Sequence, residues 1–179
     1  MKYLLEGQES ERLLFRKLAP EDFDTWVEFA KDPESTRYAM FEGNDPPEKC
    51  RLWFAKVFAR YQNDTGGTNI LIDKETGAII GHCGLLVQTL DEEEELGIGY
   101  SILPVFRNKG FATEAARKCI DFAFENKFSN SLISIIHVDN IKSEKVAIQS
   151  GMALEKTTIF KDAPVNVFRI RCPLLMPGL

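Results

Sequence analysis

The chain is short of metal ligands. It has two histidines in 179 residues, and its four cysteines, Cys50, Cys83, Cys119 and Cys172, stand far apart with no Cys-x-x-Cys pair. Only His82 and His137 could supplement the thiols, so no zinc motif is present and none of the expected chemistry calls for a metal. Four unlinked thiols suit a reducing compartment, and a cytoplasmic location is the expectation. No run of about 18 apolar residues is available to span a membrane. The opening Met1-Lys2-Tyr3-Leu4-Leu5-Glu6 reaches charge too soon for a secretory signal. Basic tracts interleaved with aromatics are missing, and a net charge of −5 with a pI near 5.2 weighs against nucleic acid or an anionic membrane as partner. Neutral or cationic partners fit better. Two phosphate-binding signatures are absent as well: Gly-x-x-x-x-Gly-Lys-Ser/Thr, and a Gly-x-Gly-x-x-Gly that opens a helix after a strand.

What is present suits one globular domain over residues 1–179, with 44% apolar residues and no internal repeat or low-complexity linker. Glu11 to Leu18 reads as a first strand. Pro20-Glu21-Asp22 opens a helix carrying Phe23, Trp26, Val27 and Phe29, which Pro33 ends. Pro46-Pro47-Glu48 opens an aromatic-rich helix through Trp53, Phe54, Val57, Phe58 and Tyr61, stopped by Gly66-Gly67. Ile70 to Ile72 and Ala78 to Leu85 form a hairpin leading into a further strand. Leu132 to Val138 reads as a strand, Ser143 to Gln149 as a short helix capped by Gly151, and a last hairpin turns around Ala163-Pro164.

The most informative stretch runs from Leu96 to Phe128. Leu96, Ile98, Tyr100 and Ile102 share one strand face at period two, and Pro104 stops pairing. The period then changes. Ala112, Ala115, Ala116, Cys119, Ile120 and Ala123 make a narrow stripe of small residues along a helix that can lie close to a sheet. The first turn of that helix presents unpaired amides and a partial positive charge. Gly110 lets an anion approach the main chain, and Arg107 and Lys109 add charge to the rim. A strand, a basic glycine turn and a helix start can also be an ordinary connection. Arg107-x-x-Gly110-x-Ala112 at a strand–helix junction, however, resembles the acetyl-CoA pyrophosphate loop of the GNAT superfamily of N-acetyltransferases. A second motif, Asn140-x-x-Ser143 followed by a short helix ending at Gly151-Met152, is similar to the same family. With Leu13-Leu14-Phe15-Arg16-Lys17-Leu18, it looks like the branch that acetylates ribosomal-protein N-termini and small amines.

The resemblance implies an α/β fold with a mixed, mostly antiparallel sheet flanked by helices and splayed between its fourth and fifth strands. It implies acetyl-CoA as co-substrate, with Arg107, Asn108, Lys109, Gly110, Phe111, Ala112 and Thr113 wrapping the pyrophosphate. Residues 100 to 103, Ile102 and Leu103 among them, would pair with the pantetheine amides. Asn140, which by itself reads as a helix cap, would also hold the pantetheine arm, and Ser143 would protonate the leaving thiolate. Ala147 stands where many relatives carry a tyrosine acid, and Gly97 where this branch often carries a glutamate before Ile-Gly-Tyr. Glu95, two residues earlier on the same face and preceded by Glu92, Glu93 and Glu94, is favoured over His137 as a base acting through water. His82 reads as core. Gly97 and Gly99 mark a bulge or a close backbone approach that could polarise the thioester.

The expected function is direct transfer of an acetyl group from acetyl-CoA to a primary amine in a ternary complex. The acceptor would be a small molecule or a protein N-terminus, and the protein a monomer or homodimer. An α-amine is about 10–20% neutral at pH 7, whereas a lysine amine is less than about 0.1% neutral, so a weak base favours α-amines. A non-catalytic acyl-CoA-binding or regulatory module is the alternative that the glycine at 97 keeps open, and a nucleotide-binding domain is a third that the missing phosphate motifs oppose.

Overall fold

The computed structural model describes residues 1–38 and 42–173. Alternation of inward residues makes β1 (Leu13–Lys17), where Leu13 and Phe15 are fully buried. A short turn at Pro20–Asp22 feeds α1 (Phe23–Lys31), whose inner stripe is Trp26, Phe29 and Ala30. Pro33 ends α1 as its missing amide requires, yet it also begins a second helix. It occupies the first turn of α2 (Pro33–Thr36), where Asp32 accepts from the amides of Glu34 and Ser35 at 3.3 and 3.1 Å. Asp45 caps α3 (Pro46–Gln62) in the same way, at 2.8 Å from the Glu48 amide.

Gly66 and Gly67 begin β2 (Gly66–Asp73) and do not form a loop after α3. A side chain at Gly66 would lie 2.0 Å from the Leu85 carbonyl, and its φ of +80° belongs to the left-handed region. The close approach of two strands therefore demands glycine there. β3 (Ile79–Leu90) and β4 (Glu93–Ile102) form a long hairpin joined at Asp91-Glu92, both with positive φ. The acidic run is thus the turn and start of a strand. Pairing runs from Gly81 with Ile102 to Leu90 with Glu93 with no register shift, so of the two readings of Gly97-Gly99 the bulge is absent, and at Gly97 it is a close approach, by the Gln88 side chain, that leaves no room for a Cβ. After α4 (Phe111–Glu125), β5 (Ser131–His137) and α5 (Ile141–Gln149), the last hairpin joins β6 (Ala153–Phe160) to β7 (Ala163–Arg171). Its turn is Lys161-Asp162, two residues earlier than expected, because those two residues adopt the left-handed conformation and Ala163-Pro164 already belong to the strand.

The seven strands lie in the order β1-β2-β3-β4-β5-β7-β6. All pairings are antiparallel except β4 with β5, which run parallel and share one paired position, Gly97 with Ile133. Beyond it the strands part. The sheet is therefore mixed, mostly antiparallel, and splayed at the fourth and fifth strands. On one face the small residues Ala115, Ala116, Cys119 and Ala123 of α4 pack on Leu96, Ile98, Ile102, Cys83 and Leu85. The Sγ atoms of Cys83 and Cys119 come to 3.5 Å without a bond, and all four cysteines are free. Helices α1 and α3 cover the other face, with Trp26, Phe29, Phe54 and Val57 clustering with Ile70 of β2. α5 covers Ile136, Met152 and Phe168 beside α4. No described helix is long and apolar enough to cross a membrane.

Candidate active site

Gly110 caps α4 with φ +81°, and its neighbour Asn108 also has positive φ, at 60°. Two left-handed residues in three fold the loop back so that the helix start faces outward. The first intrahelical bond runs from the Glu114 amide to the Gly110 carbonyl at 3.0 Å, and no side chain caps the helix. The amides of Phe111, Ala112 and Thr113 precede that bond, and they are the donors an anion would meet. A side chain at Gly110 would point at the guanidinium of Arg12, 3.5 Å away. Arg12 donates to the Lys109 carbonyl at 3.0 Å, pairs with Glu114 at 2.7 Å and lies over the Phe111 ring at 4.3 Å. It is a cation on the rim of the cradle, contributed by the far end of the sequence. Ser10 and Arg12 hold the Glu114 carboxyl below its ordinary range against the opposing effect of burial.

Below the cradle lies the open seam. The carbonyls of Ile98 and Ile102 both point into it, since Ser134 Oγ donates to the first at 3.3 Å and Arg107 Nε to the second at 3.1 Å. Tyr100 lies between them in the alternation, so its main-chain N–H and C=O face the same gap, the edge a pantetheine chain would pair with. Its side chain crosses the seam, and the phenol donates to the Ser143 carbonyl at 2.8 Å. Burial pushes the Tyr100 pKa up, so it stays a neutral donor. Asn140 caps α5, its Oδ1 accepting from the Ser143 amide at 3.2 Å, which leaves its Nδ2 hydrogens available to a ligand. Thr113 donates to the Gln149 side chain at 3.1 Å and ties α4 to α5.

Glu95 and Ser143 are not brought together. Glu95 precedes Tyr100 by five residues, about 17 Å at a strand rise near 3.3 Å per residue, and lies on the opposite face. Both its oxygens accept from Arg169, at 2.6 and 3.0 Å, and Arg169 in turn holds Glu155 and Ser131. Above Gly97, where the family glutamate would stand, the carboxamide of Gln88 fills the space: a Cβ there would be 2.3 Å from its Nε2. His137 stacks on Tyr38 with ring centroids 5.1 Å apart, and its Nδ1 accepts from the Asp139 amide at 3.1 Å. His82 is packed between Trp26 and Trp53, at 5.0 and 5.2 Å, and burial lowers its pKa to about 3. It is a neutral core ring.

Arg107 differs from its expected place. Its amide donates to the Pro104 carbonyl at 3.3 Å, and its guanidinium turns from the cradle toward Asp32 and Ser35 of the α2 turn. Sequence reasoning placed the Tyr100 main chain but missed its phenol contact with Ser143, and it missed Arg12, Gln88 and this α2 contact. Only Gln88 left a readable trace, because it stands across the hairpin from Glu95 and diagonal to Gly97.

The site thus joins an uncapped helix start to a sheet that opens between two parallel strands. The model of the acetyltransferase (GNAT) domain matches residues 12–153, and the chain belongs to that family. It is 30% identical over 140 residues to the uncharacterized protein YkkB of Bacillus subtilis, covering 76% of this chain and 78% of that one. An acetyltransferase from Agrobacterium tumefaciens superposes with a TM-score of 0.78 at 26% identity, over 92% of this chain and 94% of that one. The fold is also that of aminoglycoside acetyltransferase AAC(6')-Ib, solved with coenzyme A and kanamycin, with a TM-score of 0.73 at 14% identity over 89% of this chain and 94% of that one.

Proposed function

We propose that this protein transfers an acetyl group from acetyl-CoA to a primary amine by direct attack within a ternary complex. The observation that carries this reading is the seam. β4 presents main-chain groups to a gap whose upper end opens on the uncapped start of α4. In the proposed complex the amides from Asn108 to Thr113, with Lys109, hold the pyrophosphate. Tyr100, Ile102 and Asn140 hold the pantetheine arm, and Leu103 does not, because its amide donates to Ile80 and its carbonyl accepts from Phe106. The amine nitrogen attacks the thioester carbonyl, the C–S bond breaks, Ser143 gives its proton to the departing sulfur, and the proton that the nitrogen sheds in forming the amide passes through water to restore the Ser143 hydroxyl. For Glu95 we propose a structural role with Arg169, and the neutral amine comes from the acceptor's own equilibrium. That favours an α-amine over a lysine.

The alternative, an acyl-CoA-binding module without turnover, is favoured by one observation: Gln88, which cannot act as a base, fills the place of the family carboxylate. The test is calorimetric titration with acetyl-CoA together with thiol release in the presence of a Ser-initiated hexapeptide, kanamycin or spermidine. Thiol release with the hexapeptide above the hydrolysis rate is the expected result. Tight acetyl-CoA binding with no release on any amine would select the binding module, and no acetyl-CoA binding would sink both.

A further inference from the structure

We propose that Arg107 is a positioning residue for the acceptor side of the site. Its guanidinium clamps the α2 turn across the open end of the β4–β5 seam. The inference rests on the acetyl-transfer reading and refines it.

Arg107 follows the end of β4 by five residues. Its Nε donates to the Ile102 carbonyl at 3.1 Å, its Nη2 donates to Ser35 Oγ, and its Nη1 lies 3.5 Å from Asp32 and 4.0 Å from Glu34. The same α2 segment has two more attachments. Glu34 pairs with Lys142 in the first turn of α5, and Tyr38 stacks on His137 at the end of β5. The three landing points, β4, α5 and β5, are the elements that border the open end of the seam. Residues 32–38 therefore span it as a strap. Arg107 is the anchor of this strap with the least solvent exposure, at 23%, against 72% for Lys142. Exposed ion pairs contribute little, so the anchoring falls on Arg107 and on the Tyr38–His137 ring contact, whose imidazole is 26% exposed. The Ser35 hydroxyl, the Glu34 and Ser35 amides and Arg107 together hold the Asp32 carboxyl below its ordinary range, which keeps the clamp ionised at neutral pH. A guanidinium whose fork is committed to Ser35, Asp32 and Ile102 is not free to grip a pyrophosphate at the same time. The cradle retains its amides and Lys109 for that charge, since the Arg12 fork is itself committed to Glu114 and the Lys109 carbonyl. An acceptor must reach the thioester past the strap, so loosening it acts on the acceptor and spares acetyl-CoA.

The test compares Arg107→Ala, Arg107→Lys and Ser35→Ala with the wild type by three readouts. These are hydrogen exchange of residues 34–36 without ligand, acetyl-CoA affinity by calorimetry, and KM and kcat for whichever of the Ser-initiated hexapeptide and kanamycin is turned over. Loss of charge-assisted bonds predicts that Arg107→Ala speeds exchange of the strap about tenfold or more and raises acceptor KM by a similar factor. The acetyl-CoA Kd and kcat should stay within about threefold. Arg107→Lys, which keeps the charge and loses the fork, and Ser35→Ala, which removes one contact, should fall between. Unchanged exchange in Arg107→Ala overturns the clamp. A loss of about tenfold or more in acetyl-CoA affinity overturns it as well and makes Arg107 a phosphate ligand. Exchange and calorimetry decide the clamp even if no amine is turned over, whereas failure of the wild type to bind acetyl-CoA strikes only the acetyl-transfer reading.

Discussion

The two ends of the β4–β5 seam are built from opposite materials. At the closed end, Gly97 pairs with Ile133 through the backbone, and Arg169, 11% exposed, reaches across β5 to hold Glu95. At the open end the backbones separate, and side chains alone make the crossing: Ser134 to Ile98, Tyr100 to Ser143, and the α2 strap through Arg107. The difference separates two jobs. Backbone pairing with a half-buried ion pair makes the closed end a fixed hinge, and the side-chain crossings leave unspent main-chain groups for a ligand.

Breaking the closed end should cost the most. Arg169→Met strands the half-buried Glu95 carboxylate, while Glu155 keeps Arg171, and should lower unfolding stability by about 3 kcal/mol, the cost of leaving a charged acceptor without its partner. Urea denaturation would read this as a lower midpoint, and an unchanged midpoint would deny the hinge. Gly110→Val should be nearly as severe at the other end, but in binding. A β-branched residue is strained at φ +81° and blocks the amides, so acetyl-CoA affinity should fall about a hundredfold in calorimetry, with the fold retained. Ordinary affinity in folded Gly110→Val protein would refute the cradle.

A third prediction uses pH to separate the sheet's N-terminal half from the seam. His82 titrates near 3 when folded and near 6.5 when unfolded, so between those values the unfolded chain binds the extra proton. Stability should therefore fall as pH drops from about 6.5 toward 3, by up to about 1.4 kcal/mol per unit. His82→Phe should flatten that slope in thermal melts recorded across the range, while Arg169→Met should leave its part above about pH 5 in place and alter only the lower part, where Glu155 loses a partner that holds its carboxyl down. The smallest effect belongs to Ser143→Ala. A CoA thiol with a pKa near 8.5 leaves readily, so kcat should fall by about tenfold, below the usual range for general acids, with acetyl-CoA affinity intact. Full activity would remove Ser143 from the proton path. The companion Glu95→Gln should leave the acidic limb of the kcat/KM profile unmoved, and a shifted limb would restore Glu95 as the base.

Legibility followed the range of the interactions. The β4 alternation, the small-residue stripe of α4, the glycine before it and the Asn140 cap were all readable, because each depends on residues within a turn or two of one another. Boundaries failed where a local signal has two outcomes. Pro33 both ends one helix and begins the next, Gly66-Gly67 serves a strand contact as well as a helix stop, and Asp91-Glu92 and Lys161-Asp162 make left-handed turns without glycine.

By itself, then, the sequence determined a glycine-led, uncapped start to α4, the proposed cradle, placed between a strand with one buried face and a helix of small residues, because periodicity and main-chain conformation are set by neighbours in the chain. Only the tertiary structure decided which charges attend that cradle and which are spoken for elsewhere. Arg12 arrives from 98 residues before Gly110, Arg107 leaves for Asp32 across 75 residues of sequence, and Arg169 takes Glu95 from 74 residues away. Long flexible side chains choose partners by distance in space, and that distance is fixed only once the strands are paired.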